Sequence, residues 1–353
     1  MAVLGSKFSM VDAAKRIDQT GKYVQIAEIL NQSNPILQDM PFFPSNAPRG
    51  NRVTFRTSLP EVQWSRINRG VKTSRTNVTA REDTIGVLEG RSEVDRRHKG
   101  RTLNDDAYRA FRYDEDQTYL ESMSQRMAET LLLGNEEFDS EAFTGFFPRL
   151  SNVDDPIFGK SITKAETKTS SREYENILIV DWGQRYCHGI YPLNTPAGIR
   201  MEDHPNQETS DADGGKYYVD VSTFEWALGL TVRHPKHVHR ICNLPKGPLD
   251  AIVSSGSATL NPASTTGSAV ATAALYDIPG MLIRAMNAMD QCLSGSRVIY
   301  CSQAMLTAIE LLAKNTNNLT FGTTEWAGQP VTTFRGVPLR KLDVLDTFTD
   351  NGI

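Results

Sequence analysis

The chain has 353 residues, 39% of them hydrophobic, with 17 prolines, 25 glycines, four cysteines and a formal net charge of −4. That length accommodates about two domains with a sizeable core, and no run of about 18 apolar residues is present to span a membrane. Met1–Gly5 does not lead a basic stretch into an apolar one, so no secretory signal is expected, and Cys187, Cys242, Cys292 and Cys301 form no CxxC pair and read as reduced thiols.

Ser9–Asp12 has the form of a capping box. Val11, Ala14 and Ile17, then Tyr23, Ile26, Ala27 and Leu30, have helical spacing, divided at Gly21. Pro35, Pro41, Pro44 and Pro48 then impose an extended arm. Arg52–Ser58 alternates Val53, Phe55 and Thr57 with Arg52, Thr54 and Arg56, which predicts a strand, and Thr84–Val94 predicts a second. The polar, Arg-rich stretch between them makes a long hairpin-like loop, and loops of that length usually carry function.

Asn104-Asp105-Asp106 predicts a helix start, with a cap residue and two acids at the positive end of the dipole. Ala110, Tyr113, Gln117, Leu120, Met123, Met127 and Leu131 then step by three and four, so the helix runs to Leu133 and stops at Gly134-Asn135. At ~1.5 Å per residue it is a rod of roughly 45 Å. Charge divides sharply here. Arg49–Arg101 holds thirteen Lys/Arg against six Asp/Glu, a net of +7, and Thr102–Ala142 holds three against eleven, a net of −8. These blocks are either two solvated faces or a complementary pair, within one chain or between neighbours, that sets register and partner choice.

Lys160–Arg172 and Ser254–Ala274 are low-complexity stretches that read as loops or linkers. Asp203–Gly215 reads as an acidic loop, and its Asp211–Gly215 end lacks the later ligands of a calcium loop. The last third reads α, β, α, β. Pro279 sits in the first turn of a helix bearing Leu282, Ala285, Met286, Met289 and Leu293. Arg297–Cys301 is a short strand, and Ser302 caps a helix with Met305, Ile309 and Leu312. Val331–Phe334 and Val337–Val344 read as strands around Gly336. The mixture predicts an α+β fold.

No phosphate-binding loop, dinucleotide fingerprint, HExxH or GxSxG is present. "TVRHPKHVHRIC", Thr231–Cys242, follows an alternating strand over Phe224–Val232 and holds three of the six histidines. His237 and His239 would share one strand face, but a zinc site needs four converging groups. Arg233, Lys236 and Arg240 flank them and repel a cation, so no metal is expected, nor any cofactor or catalytic residue. Thr231–Gly247 carries four Lys/Arg and no acid. It reads as a basic segment in which Arg233, Lys236 and Arg240 touch phosphates or an acidic neighbour. Cys187 and His188 are adjacent, so on a strand they point to opposite faces and cannot act as nucleophile and base.

The order of these pieces, with "AAKRIDQTGKYVQIAEILNQSNPILQDMPF" from Ala13, "NRVTFRTSLPEVQW" from Asn51, "EAFTGFFPRL" from Glu141, "VDWGQRYCHGIYP" from Val180 and "FRGVPLRKLDVL" from Phe334, resembles the major capsid proteins of tailed bacteriophages. The local sequence is most similar to those of short-tailed phages. The resemblance implies an HK97-like (Hong Kong 97 type) fold. Residues 1–48 would be an N-terminal arm and 49–101 an extended loop lying over the next subunit. Residues 102–180 would form a peripheral domain with a spine helix, completed by strands at about 219–245 and 331–353. Residues 246–330 would form the axial α/β domain. The basic loop, through Arg66, Arg69, Lys72 and Arg75, would rest on the acidic spine of a neighbour at Asp105, Asp106 and Glu115.

The implied function is a virion subunit that self-assembles into hexamers and pentamers of an icosahedral shell around double-stranded DNA, built in the bacterial host cytoplasm. Implied partners are copies of itself, a separate scaffold protein (no scaffolding segment precedes the arm), a portal protein and nonspecifically touched DNA, with room for a decoration protein. The Lys–Asn cross-link of some relatives is not carried over, because no motif at Lys72 or Lys99 matches it. The alternatives are a nucleic-acid-binding protein using the basic 49–101 arm, disfavoured by the net charge of −4 and the few aromatics among its arginines, and a hydrolase using the Cys/His elements.

Overall fold

The computed structural model describes residues 32, 34–101, 103–168, 173–211, 213–255, 278–315, 321–326 and 329–348. The predicted helices between Ser9 and Leu30, and most of the Ser254–Ala274 stretch, lie outside the described residues. The strands are β1 (Phe42–Pro44), β2 (Gly50–Ser58), β3 (Asn77–Asp95), β4 (Ile162–Lys164), β5 (Tyr174–Trp182), β6 (Cys187–Tyr191) and β7 (Ile199–Ser210). They continue with β8 (Lys216–Val232), β9 (Val238–Pro245), β10 (Ser296–Cys301), β11 (Phe321–Trp326), β12 (Gln329–Phe334) and β13 (Val337–Lys341). The helices are α1 (Ile36–Asp39), α2 (Asp105–Leu133), α3 (Phe146–Arg149), α4 (Lys246–Ser255), α5 (Ile278–Ala288), α6 (Gln303–Asn315) and α7 (Asp343–Thr347).

The chain divides into two compact units. One takes residues up to Gln32, Gly86–Met127 and Ala197–Leu228; the other takes the remainder. In the first unit, β7 and β8 form a long antiparallel hairpin from Ile199↔Trp226 to Ser210↔Lys216. Asp211 closes its turn by accepting from the backbone N–H of Gly215 at 2.7 Å, and Gly214 takes the positive φ of 85° that the turn demands. The predicted acidic loop at Asp203–Gly215 is therefore mostly strand. Alternation was hidden because β7 is polar and exposed along most of its length. The helix of this unit starts where its cap predicts, with Asn104 Oδ1 accepting from Ala107 N–H at 2.8 Å. It buries Ala107, Tyr108 and Phe111 with Val94 and Leu103. Tyr119 stacks on Phe224 with centroids 5.9 Å apart, and Gly90 lies against Tyr119, where an added Cβ would sit 3.4 Å from the ring.

The second unit is built around β5, whose nine residues are all buried. It pairs antiparallel with β9 and β10 and parallel with β6 at its end. β13 joins β10 in parallel, and β12 and β11 follow antiparallel. One face of β5 presents Ile177 and Ile179 to a core with Ile241 and Leu244 of β9, Leu249 of α4, Leu282 and Ala285 of α5, and Met305 and Ile309 of α6. Burying each such aliphatic side chain contributes about 1.5–3 kcal/mol. Ser302 caps α6 as predicted, accepting from Met305 N–H at 3.2 Å. Several sequence expectations fail here, including the extended arm, which holds the short helix α1 at Ile36–Asp39. Leu293 is 84% exposed beyond the end of α5, and Val344 lies in α7, because the last strand stops at Lys341. Within the predicted Lys160–Arg172 loop, Ile162–Lys164 forms β4 beside β9.

Candidate functional site

The long loop is built from its base outward. β2 and β3 pair antiparallel from Gly50↔Thr84 to Ser58↔Asn77, so the second strand begins seven residues earlier than the sequence predicts. Val53 and Phe55 are buried, which ties this base to its own unit rather than leaving the whole of 49–101 extended. A buried polar network fixes it further. Arg149 donates from Nη1 to Asp83 Oδ1, from Nη2 to the Leu230 carbonyl at 3.1 Å, and to the carbonyls of Thr144 and Gly145. Thr231 Oγ1 donates to Asp83 Oδ2 and accepts from Asn51 Nδ2 at 3.1 Å.

Beyond this base, residues 59–75 are exposed throughout. Arg66, Arg69, Lys72 and Arg75 all lie here, and none has an ion-pair partner among the described residues. Sequence reasoning fixed on these cations and missed their neighbours. Leu59 is 76% exposed, Val62 89%, Trp64 103% and Ile67 94%. No described residue of the same chain covers these large apolar side chains. The signal available in the sequence was the set of apolar residues spread through a stretch with no helical or strand period. Ser74 Oγ bonds the Glu61 carbonyl at 2.8 Å, and Arg69 N–H bonds the Arg66 carbonyl at 3.1 Å, so the loop has local turns without a core.

Asp105 and Asp106 are exposed at the start of α2, and Asp105 pairs with Lys99 of its own chain at 3.4 Å. Glu115 is half-buried and already engaged in interactions.

The basic segment after β8 separates into two kinds of residue. Arg233 and Lys236 are exposed. Arg240 is not available to DNA or a neighbour, which corrects the sequence assignment. It is 3% exposed, donates from Nε to Asn176 Oδ1 at 3.0 Å and from Nη1 to the Leu150 carbonyl at 3.0 Å, and lies 4.2 Å over the Phe147 ring. His237 and His239 do not share a strand face either. Pro235–His237 is a 3-10 turn, and β9 begins only at Val238. His237 Nδ1 lies 2.7 Å from Asp181 Oδ2, and Asp181 also accepts from Arg297 Nε at 2.6 Å and Nη2 at 2.8 Å.

His239 is buried against Thr163 Oγ1 at 2.8 Å, and His188 is buried with Phe43 edge-on to it at 5.0 Å. Cys187 beside it is fully buried, which pushes its thiol pKa well up and leaves no nucleophile there. Burial pushes both His188 and His239 down to about 4, below the unfolded value of about 6.5. The unfolded chain therefore takes up these protons first. The stability this represents is whole above about pH 6.5 and is lost as pH falls toward about 4. Asp39 and Glu175 oppose it, since burial raises their pKa values in the folded chain. Comparing variants isolates the histidine contribution: the melting temperature of His239→Gln is expected to fall less between pH 7 and pH 4.5 than that of the unaltered chain. An identical pH profile would contradict this.

Residues 18–349 match the family model described as major capsid protein GP7. Comparison with curated proteins gives no match. Among solved structures, a chain of bacteriophage Epsilon15 is similar with a TM-score of 0.72 and 25% identity, covering 97% of each chain. A chain of the bacteriophage JBD30 capsid gives 0.47 and 11%, covering 97% of this chain and 96% of that one. Cys187, Cys242 and Cys301 are buried, and Arg149 and Arg240 are turned into the interior. The chain belongs to the GP7 major capsid protein family: it is a non-enzymatic α+β subunit with the HK97-like fold, and copies of it build the icosahedral virion shell of a bacteriophage.

Proposed function

We propose that residues 59–76 dock on a neighbouring copy of this chain and that their apolar side chains, more than their charges, hold the shell together. The observation that carries this is the exposure of Leu59, Val62, Trp64 and Ile67 in one loop. Exposed ion pairs contribute about 0.2–1 kcal/mol each and are screened by salt. Burying an apolar side chain of this size contributes about 1.5–3 kcal/mol. Arg66, Arg69, Lys72 and Arg75 then steer and orient the loop, and Asp105, Asp106 and Glu115 on the spine helix are the acids assigned to receive it. Asp105 would exchange its weak pair with Lys99 for one with the neighbour.

The same reading assigns the peripheral domain to 102–180 with the later strands, and the axial domain to 246–330. It places the chain in hexamers and pentamers around double-stranded DNA, with separate scaffold and portal proteins, assembled in the host cytoplasm. Arg233 and Lys236 are the exposed cations left to meet DNA phosphates or an acidic neighbour. A chain with Val62, Trp64 and Ile67 all replaced by Asp tests the proposal: it should fold and fail to form shells.

A further inference from the structure

The turn between β8 and β9 carries a side-chain cluster outside the loop proposed to dock on a neighbour. His234 and His237 stand one turn apart at its two ends, with ring centroids 5.1 Å apart. Asp290, two residues beyond α5, joins them, and one ligand atom from each of the three lies within 4.8 Å of the others. We infer that His234, His237 and Asp290 bind a divalent ion of the zinc class, with Asp181 positioning the His237 ring.

Several observations carry this. Asp181 is 0% exposed and its Oδ2 faces His237 Nδ1 at 2.7 Å, while Arg297 grips the same carboxylate through two nitrogens. A carboxylate that accepts from Nδ1–H fixes the tautomer and leaves the lone pair on Nε2, which is how carboxylates orient metal-binding histidines. Nε2 of His237 has no protein partner among the described residues. The Tyr186 ring lies against the His237 ring at 4.0 Å and further limits its rotation. Two imidazoles and one carboxylate form a donor set suited to Zn2+, Co2+ or Ni2+, with a fourth position left for water. Bonds of about 2.0–2.1 Å in tetrahedral geometry put ligand atoms about 3.4 Å apart. His234 and Asp290 are exposed, so their side chains are free to close the remaining distance onto the fixed His237.

One objection from the sequence loses its force in the structure. Arg240 is turned into the interior, so it does not repel an ion here. Lys236 does compete: its Nζ lies 3.4 Å from Asp290 Oδ1, in a pair with both side chains about half exposed (56% and 48%). A pair of that kind is weak and screened. Bound metal would tie the turn before β9 to the connection between α5 and β10.

The test is a calorimetric titration of the full, metal-stripped chain with Zn2+ alone, with Ca2+ and Mg2+ as comparison ions. The expected result is saturation at one Zn2+ per chain, a rise in melting temperature with Zn2+, and no such response to Ca2+ or Mg2+. His234→Ala and Asp290→Asn change exposed residues, so folding is retained, and each should weaken binding by about tenfold or more. Lys236→Ala removes the competitor and should tighten binding. His204→Ala, which alters a half-exposed histidine elsewhere, should leave it unchanged. Absence of saturable Zn2+ binding, or binding undiminished in both His234→Ala and Asp290→Asn, would overturn the assignment, as would weaker binding in Lys236→Ala.

Discussion

Arg149→Ala is expected to destabilise the unassembled chain by about 3–5 kcal/mol, the cost of leaving a buried charge without its partner. Both members of the pair are buried, with side-chain exposures of 2% for Arg149 and 1% for Asp83. Removing the guanidinium strands the Asp83 carboxylate with Thr231 and with Arg81, whose Nε is 3.9 Å away. It also strips hydrogen-bond donors from the carbonyls of Thr144, Gly145 and Leu230. Arg149→Lys should recover little, because a single ammonium cannot span this fork of acceptors. Replacing both partners, as Arg149→Met with Asp83→Leu, should cost much less than Arg149→Ala, since the buried charge is then gone. Urea unfolding read by circular dichroism measures all three. Arg149→Ala within about 1 kcal/mol of the unaltered chain would show that the network does not brace the loop base.

That network shows why part of this protein was legible in its sequence and part was not. Helix α2 was readable at both ends because its cap, its period and its Gly134 stop are all local signals. The β2 strand was readable because alternation is local too. Arg149 meets Asp83 across 66 residues and Thr231 meets Asp83 across 148, and no local pattern encodes such partners. β5 went unread because a strand buried on both faces has no alternation to detect. Arg240 was misread because composition reports a charge but not its direction. The exposed loop was found for its cations, while Val62, Trp64 and Ile67 were passed over because apolar residues in a chain are ordinarily assumed to be inside.

The second large effect concerns those three residues. A chain carrying Val62→Asp, Trp64→Asp and Ile67→Asp is expected to fold with nearly unchanged stability, because substitutions at exposed sites usually stay within about 0.5 kcal/mol. Its assembly should collapse. At about 1.5–3 kcal/mol for each apolar side chain buried, every subunit contact loses about 5 kcal/mol or more, roughly a thousandfold or beyond in its equilibrium constant. The added carboxylates do not reproduce the lost burial. Gel filtration and electron microscopy should show unassembled chain with a normal melting curve. Reversing Arg66, Arg69 and Arg75 should have a smaller effect that fades at high salt. Shells of ordinary yield from the triple Asp chain would remove the apolar side chains from the account.

The central claim, that this loop is covered by a neighbour in the shell, is tested most directly at Trp64. It is fully exposed in the single chain, whereas Trp182 is 2% and Trp226 8% exposed. Acrylamide quenching of tryptophan fluorescence, with Trp64→Phe as the reference that isolates this residue, reports its access to solvent before and after assembly. The account predicts an open Trp64 in the unassembled chain and a shielded Trp64 in finished shells. A Trp64 quenched equally in both would contradict it.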